Sequence, residues 1–197
     1  MTPFTQSSVT HITETGMPAG GTPRGMTAPS IAPLADAFGR IGDLVDQVLD
    51  GLDQEELTAR LDTAANPIGW LVWHLTRVQD DHVADAAGTP QAWHADGWDK
   101  RFDLAYPSGA IGYGQSRSDV AAFGGVSAEL LAGYHAAVRD RTLAYLSDLD
   151  TADLDRVVDE AWTPPVTLGV RLVSVISDDL QHVGQAAFVR GILDRRS

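Results

Sequence analysis

Apolar residues recur every three or four positions along four stretches of the chain, with charged and polar residues between them. This period puts the apolar side chains of each stretch on one face of an α-helix. The pattern predicts long amphipathic helices at residues 32–52, 67–87, 127–149 and 167–193. No stretch shows the alternation typical of a strand ladder. The expected fold is therefore all-α, a four-helix bundle with one long crossover loop.

Residues that favour helix ends agree with these boundaries. Asn66 is expected to cap the second helix, with Pro67 at the first helical position, where a missing N–H costs nothing. Gly88 is expected to end that helix, and Ser127 to cap the third. A short helical turn is expected within residues 53–62.

The crossover, residues 89–126, is the least regular part of the predicted domain. A loop of this length in a compact domain is more often functional than accidental. Its aromatic side chains either cover the core or line a substrate site, and the sequence leaves both interpretations open. These residues are Trp93, Trp98, Phe102, Tyr106 and Tyr113.

Residues 1–29 are rich in Thr, Pro, Gly and Ser and have no apolar period. Such a segment buries too little apolar surface to offset its chain entropy, so we predict a disordered tail followed by one domain at 30–197. Met17 and Met26 within the tail are alternative translation starts. No apolar run approaches the about 18 residues of a membrane span, and the N-terminus does not resemble a signal peptide. We expect a cytoplasmic protein.

The charge balance and the lack of cysteine exclude several function classes. The 14 Lys and Arg residues against 27 Asp and Glu give a net charge of −13. Because such a surface repels phosphate backbones, nucleic-acid binding is disfavoured. The chain has no cysteine, so it offers neither thiolate metal ligands nor a thiol nucleophile of its own.

A histidine on the second helix and an Asp–His pair on the last helix predict a metal site between the two. His74 lies in the middle of the apolar second helix. Asp178 and His182 are four residues apart, so they differ by about 40° around the last helix. Two imidazoles and a carboxylate bind a divalent ion and leave coordination positions open. Zinc is the first expectation; nickel, iron(II) and manganese accept the same ligands. Asp179 is the alternative to Asp178.

Other polar residues of the domain are candidates for supporting or structural roles around the predicted metal site. Asp81 lies about 20° from His74 around the helix, and we expect it to orient a ligand histidine. Arg77 and Arg190 either anchor anionic groups of a substrate or cofactor, or are surface charges. The remaining histidines of the domain are expected to be structural or exposed, with His135 on the solvent face of its helix; they are His82, His94 and His135.

The motifs GWLVWHLTRVQDDH (69–82) and DDLQHVGQAAFVRG (178–191) resemble the DinB-like superfamily of four-helix-bundle metalloproteins. That superfamily includes the N-terminal domain of mycothiol-dependent maleylpyruvate isomerase and the bacillithiol transferases. The segments GWDKRF (97–102) and GYGQ (112–115) also resemble an uncharacterised actinobacterial branch. The resemblance implies that His74, Asp178 and His182 are the metal ligands, with Asp178 at a position where relatives usually carry Glu or His.

The resemblance further implies a metal-dependent transferase or isomerase that uses a low-molecular-weight thiol such as mycothiol. The partners would be that thiol and a small-molecule electrophile. The isomerase's additional C-terminal domain has no counterpart here, so that particular reaction is not implied. The alternative from the sequence is a non-catalytic bundle in which a metal only stabilises the fold, or a small-ligand binding protein. Bundles of this kind commonly form homodimers, but the sequence shows no distinct interface.

Overall fold

The computed structural model of the protein describes residues 28–196, so the predicted tail up to residue 27 lies outside the described residues. Most of the described chain is helical, which confirms the all-α prediction. The helices are α1 (Ala32–Leu49), α2 (Gln54–Thr58), α3 (Ile68–Ala87), α4 (Ala92–Ala95), α5 (Trp98–Phe102), α6 (Arg117–Ala121), α7 (Ala128–Ser147) and α8 (Leu168–Leu193); a 3₁₀ turn spans Ala152–Asp155, and two strands are β1 (Val157–Asp159) and β2 (Val166–Thr167).

The long helices α1, α3, α7 and α8 form a bundle in which α3 packs against α8 and α7, and α1 packs against the same two helices. On α3 and α8, His74 faces His182, and His82 lies near Arg171. The residue numbers rise along α3 while those of the facing residues fall along α8, so the two helices are antiparallel. The pairs Thr76–His135 and Gln79–Thr142 run in the same order, so α3 and α7 are parallel. Parallel neighbours cannot be joined by a tight turn, which explains the long crossover.

Helix ends follow the sequence signals with one exception. The side chains of Ser127 and Thr167 accept hydrogen bonds from backbone N–H groups in the first turns of α7 and α8. Gly88 ends α3 in the left-handed conformation, with a φ of 66°. The assignment of Asn66 as the cap of α3 was wrong: Pro67 is itself the cap residue, because its ψ of 159° is extended rather than helical.

The crossover is not one irregular loop, since it contains the short helices α4, α5 and α6. Most of its aromatic side chains cover the core. Trp93, Trp98 and Phe102 are buried and lie 5.2–5.6 Å from the ring of Tyr134 on α7. Tyr113 is the opposite case, with 90% of its surface exposed.

The antiparallel pair β1–β2 was not expected from the sequence. The strands have three and two residues, too few to show an alternating pattern. The pair leads the chain into α8, and the backbone N–H of Leu168 donates to the carbonyl oxygen of Arg156. Within residues 28–196, no helix has the length and apolar character needed to cross a membrane.

Candidate metal centre

His74, Asp178 and His182 lie together at the seam between α3 and α8. One potential ligand atom from each of the three lies within 4.8 Å of the other two. The imidazole rings of His74 and His182 have centroids 4.6 Å apart and are inclined at 77°. In the part of the chain that the structure describes, no other group of three histidines or carboxylates meets this spacing.

Helix geometry explains why these three residues meet. Asp178 and His182 are one turn apart on α8, so both side chains project to the same side of the helix. His74 lies in the second turn of α3. Because α3 and α8 are antiparallel neighbours, this turn faces the central part of α8, which carries Asp178 and His182.

The ring of His74 is fixed on two sides. Its Nδ1 forms a short hydrogen bond with the backbone carbonyl oxygen of Ile111, and the Trp70 ring stacks on it at 4.7 Å and 17°. A carbonyl oxygen only accepts, so Nδ1 carries the proton and Nε2 presents its lone pair. Burial lowers the pKa of His74, against the effect of the Ile111 hydrogen bond, and this favours the neutral form that binds metal.

A tight turn, Gly112 to Gln115, covers the ring of His74, and the sequence pattern did not predict this contact. Gly112 has a φ of 93°, and a Cβ added there would lie 2.4 Å from His74 Nδ1. On the other side of the turn, Gln115 Oε1 accepts a hydrogen bond of 2.7 Å from Trp70 Nε1. The glycines on either side of Tyr113 were the available signal, since paired glycines permit close backbone approach.

On α8 the other two candidate ligands have polar atoms without partners. Asp178 Oδ2 and His182 Nδ1 are buried and accept or donate no hydrogen bond within residues 28–196. Asp178 Oδ1 and His182 Nε2 are 3.7 Å apart. Buried polar atoms are rarely left unsatisfied, and a divalent ion between these side chains would supply a partner to the atoms that bind it. Two imidazoles and one carboxylate suit such an ion, so the residues present fit a metal site.

The site is accessible from one side. The side chains of Asp178 and His182 are 35% and 19% exposed, whereas His74 as a whole residue is 6% exposed. The buried face of the candidate site is therefore formed by His74, which the protein holds in place, and the α8 face opens to solvent. This arrangement is typical of a site that admits a further ligand rather than of a closed structural site.

Asp179, the alternative ligand, does not join the cluster. It is fully buried, and neither of its carboxylate oxygens has a hydrogen-bond partner within residues 28–196. Burial, followed by the charge of Asp178, raises its pKa well above the usual range. This rise in pKa favours the neutral form of Asp179. Its side chain lies on the core-facing side of α8, because one residue along a helix turns the side chain by about 100°.

The expectation that Asp81 orients a ligand histidine was wrong. Asp81 Oδ1 accepts a hydrogen bond of 2.7 Å from Gln91 Nε2, and its Oδ2 lies 3.7 Å from His82. The group that holds His74 is the carbonyl oxygen of Ile111. Asp81 has a suitable angle around α3, but seven residues also move it about 10 Å along the helix axis.

Arg77 is neither a surface charge nor a substrate anchor, because it is fully buried. Its guanidinium donates to the Ala110 carbonyl oxygen at 3.2 Å, to Tyr134 at 3.1 Å and to Gln91 at 3.0 Å. It also lies 3.5 Å from Asp80. Asp80 is on α3, whereas the three hydrogen-bond partners belong to the crossover and to α7, so Arg77 ties the crossover to the bundle.

Arg190 has a structural contact instead of the expected cofactor contact. Its Nη1 donates to the carbonyl oxygens of Gln47 and Val48 at 2.7 and 2.8 Å. These are carbonyl groups in the last turn of α1, which have no partner within that helix. Arg190 therefore satisfies the C-terminal end of α1 from α8, about two helical turns beyond His182.

The other histidines lie outside the cluster. His94 is exposed and 3.4 Å from Asp99, in agreement with the sequence prediction. His82 is partly exposed beside Asp81 and Arg171. The placement of His135 on the solvent face was wrong, because it is buried between α7 and α3 and bonds to Thr76 at 3.2 Å. Burial lowers the pKa of His135 to about 4, so this side chain is neutral at neutral pH.

Comparison with known proteins identifies a family and a matching fold. The sequence profile of the DinB superfamily matches residues 37–186. A crystal structure described as the conserved protein of a locus from Enterococcus faecalis is similar, with a TM-score of 0.76 and 28% sequence identity. The similarity covers 81% of this chain and 94% of that chain. No curated protein matches this sequence.

Proposed function

Since the chain belongs to the DinB superfamily, whose members are often metal-binding, we propose that it is a metal-dependent enzyme that uses a low-molecular-weight thiol. The reaction would be a transfer or isomerisation in which the thiol sulfur acts on a small electrophile. Mycothiol is the proposed thiol, on the basis of the sequence resemblance. His74, Asp178 and His182 would hold the metal ion.

The observation that carries this proposal is a ligand set that is fixed on one side and open on the other. His74 is held by Ile111 and Trp70, with its proton on Nδ1. Asp178 and His182 have unpartnered buried atoms next to a solvent-exposed edge. Three protein ligands leave room for an external one, which a purely structural four-ligand site would not.

The lack of cysteine is consistent with a thiol that comes from outside the protein. A divalent ion in such a site acts as a Lewis acid and lowers the pKa of a thiol bound to it. Zinc is the proposed ion, because it accepts imidazole, carboxylate and thiolate ligands together. The chain's own contribution is to orient His74, to exclude water from the α3 side and to leave the α8 side open.

Thiol binding to the cobalt(II)-loaded protein tests this function without knowledge of the substrate. We expect 2-mercaptoethanol to produce a sulfur-to-cobalt charge-transfer band, because the thiol occupies the open position as thiolate. Ethanolamine, which lacks sulfur, should not produce the band. The band should be lost in His182→Ala and retained in His94→Ala, the matched histidine control on the surface. A cobalt spectrum that no thiol changes would contradict the thiol-dependent function and favour a metal that only stabilises the bundle.

A further inference from the structure

A cleft of about 600 Å³ lies between the start of α3 and the C-terminal half of α8. This volume is in the range of small-molecule binding sites. The cleft is lined by six apolar side chains, one glycine and three side-chain amides, those of Asn66, Gln181 and Gln185. None of these residues is charged, although the chain as a whole has a net charge of −13. The cleft is therefore suited to a neutral ligand.

The cleft begins one helical turn from the candidate metal ligands. On α3, Leu71 lines the cleft and lies three residues before His74. On α8, Gln185 lines the cleft and lies three residues after His182. Because the two helices are antiparallel, both steps lead in the same direction, by about 4.5 Å along the helix axes.

Gln181 and Gln185 connect the cleft to the exposed edge of the metal site. Gln181 also lines a neighbouring depression on α8, and that depression includes Asp178. Gln185 is seven residues after Asp178, so the two differ by only about 20° around the helix. Helical side chains lean toward the N-terminal end of their helix, so the Gln185 side chain leans toward the turn that carries His182. The cleft and the metal site therefore share the solvent-exposed face of α8.

Two of the three amides are available to a ligand. The side chains of Asn66 and Gln185 form no hydrogen bond within residues 28–196. Asn66 is partly buried and does not cap α3, because Pro67 occupies the cap position. The third amide, Gln181, already donates to the Ser177 carbonyl oxygen at 2.9 Å. A side-chain amide offers two donors and one acceptor, so it bonds well to amide and hydroxyl groups.

We propose that this cleft binds a neutral amide or hydroxyl group of the molecule whose sulfur occupies the metal site, and that Asn66 and Gln185 recognise that group. This inference rests on the proposed function and adds the chemical class of its ligand. Leu71 and Phe188, which is 65% exposed, supply apolar surface beside the amides. A charged group would lose hydration in the cleft and would find no opposite charge among the residues that line it.

Two thiols of similar length, one with an amide and one without, test this inference with the cobalt(II)-loaded full-length protein. The amide of N-acetylcysteamine starts three atoms from the sulfur, so it reaches the next helical turn; 1-pentanethiol has no polar group there. Both affinities are measured from the charge-transfer band in wild type, Gln185→Ala and Asn66→Ala. We expect each substitution to weaken N-acetylcysteamine by about 2- to 10-fold and to leave 1-pentanethiol unchanged, because a hydrogen bond is lost while the sulfur contact remains.

Gln47→Ala is the matched control, since Gln47 is an exposed glutamine on α1 that does not line the cleft. It should leave both affinities unchanged, and melting temperatures confirm that every variant is folded. If both cleft variants bind N-acetylcysteamine as wild type does, or weaken both thiols equally, the role of the cleft is overturned while the proposed function stands. Absence of a thiol band in wild type would instead contradict the proposed function itself.

Discussion

Replacement of Gly112 by alanine is expected to weaken divalent-metal binding by roughly 10- to 100-fold, because the change displaces the group that orients His74. The added Cβ would lie 2.4 Å from His74 Nδ1 and 3.1 Å from Trp70 Cζ2. Both atoms belong to stacked rings that cannot easily move apart. The φ of 93° is also unfavourable for alanine, so the turn must shift away from α3. His74 would then lose the carbonyl partner that fixes its tautomer.

Gly114→Ala is the matched control for this prediction. Gly114 has a φ of 71° in the same turn, but an added Cβ there meets no atom within 4 Å. Alanine at this position carries the backbone strain, about 1 to 3 kcal/mol, without the collision with His74. The measurement is the zinc dissociation constant of both variants by competition with a chelator. Equal zinc affinity of the two variants would show that the contact with His74 does not control metal binding.

The Asp80→Asn variant is expected to lose about 3 to 5 kcal/mol of unfolding free energy, because a buried positive charge would lose its carboxylate partner. Asp80 is buried, and its carboxylate accepts hydrogen bonds from the backbone N–H groups of Ala92 and Trp93 at 2.9 and 2.8 Å. It also accepts a bond of 2.8 Å from the Tyr134 hydroxyl. The guanidinium of Arg77 lies beside it. An amide cannot accept all of these donors.

Asp81→Asn provides the control at the adjacent position. The Asp81 side chain is 34% exposed, and its hydrogen bond comes from the side chain of Gln91. Its replacement should cost less than about 1 kcal/mol, because only one partly buried hydrogen bond is affected and the side chain is accessible to solvent. Urea unfolding of wild type and both variants gives the comparison. A similar loss in the two variants would mean that the carboxylate of Asp80 does not hold the crossover to the bundle.

The long helices and the proximity of Asp178 to His182 were predictable because both depend on position within a single helix. The apolar period predicted each long helix to within three residues at either end. To predict that Asp178 and His182 lie one turn apart, it was enough to predict the helix that carries both. Pairing them with His74 required two helices to face each other, which the predicted bundle allows, and the family resemblance implied the same three residues.

What the sequence could not show depends on contacts between distant segments. His135 was placed on the solvent face of its helix, and Arg77 was assigned either to an anionic group of a ligand or to the surface, because a buried role depends on partners that the sequence does not show. The structure buries both, Arg77 among groups of the crossover and His135 beside Thr76 of a neighbouring helix. Gly112 was likewise unassigned, because its role is defined by the ring of His74, 38 positions earlier in the chain.

Metal stoichiometry tests the central claim most directly. The experiment compares wild type with three variants, His74→Ala, His182→Ala and His94→Ala. Each protein is loaded with zinc and dialysed, and its metal content is measured by mass spectrometry. Circular dichroism confirms that each variant is folded. We expect about one zinc ion per chain in wild type and in His94→Ala, and loss of the ion in folded His74→Ala and His182→Ala. A wild type that retains no ion after loading, or histidine variants that retain it fully, would contradict the assignment of this site.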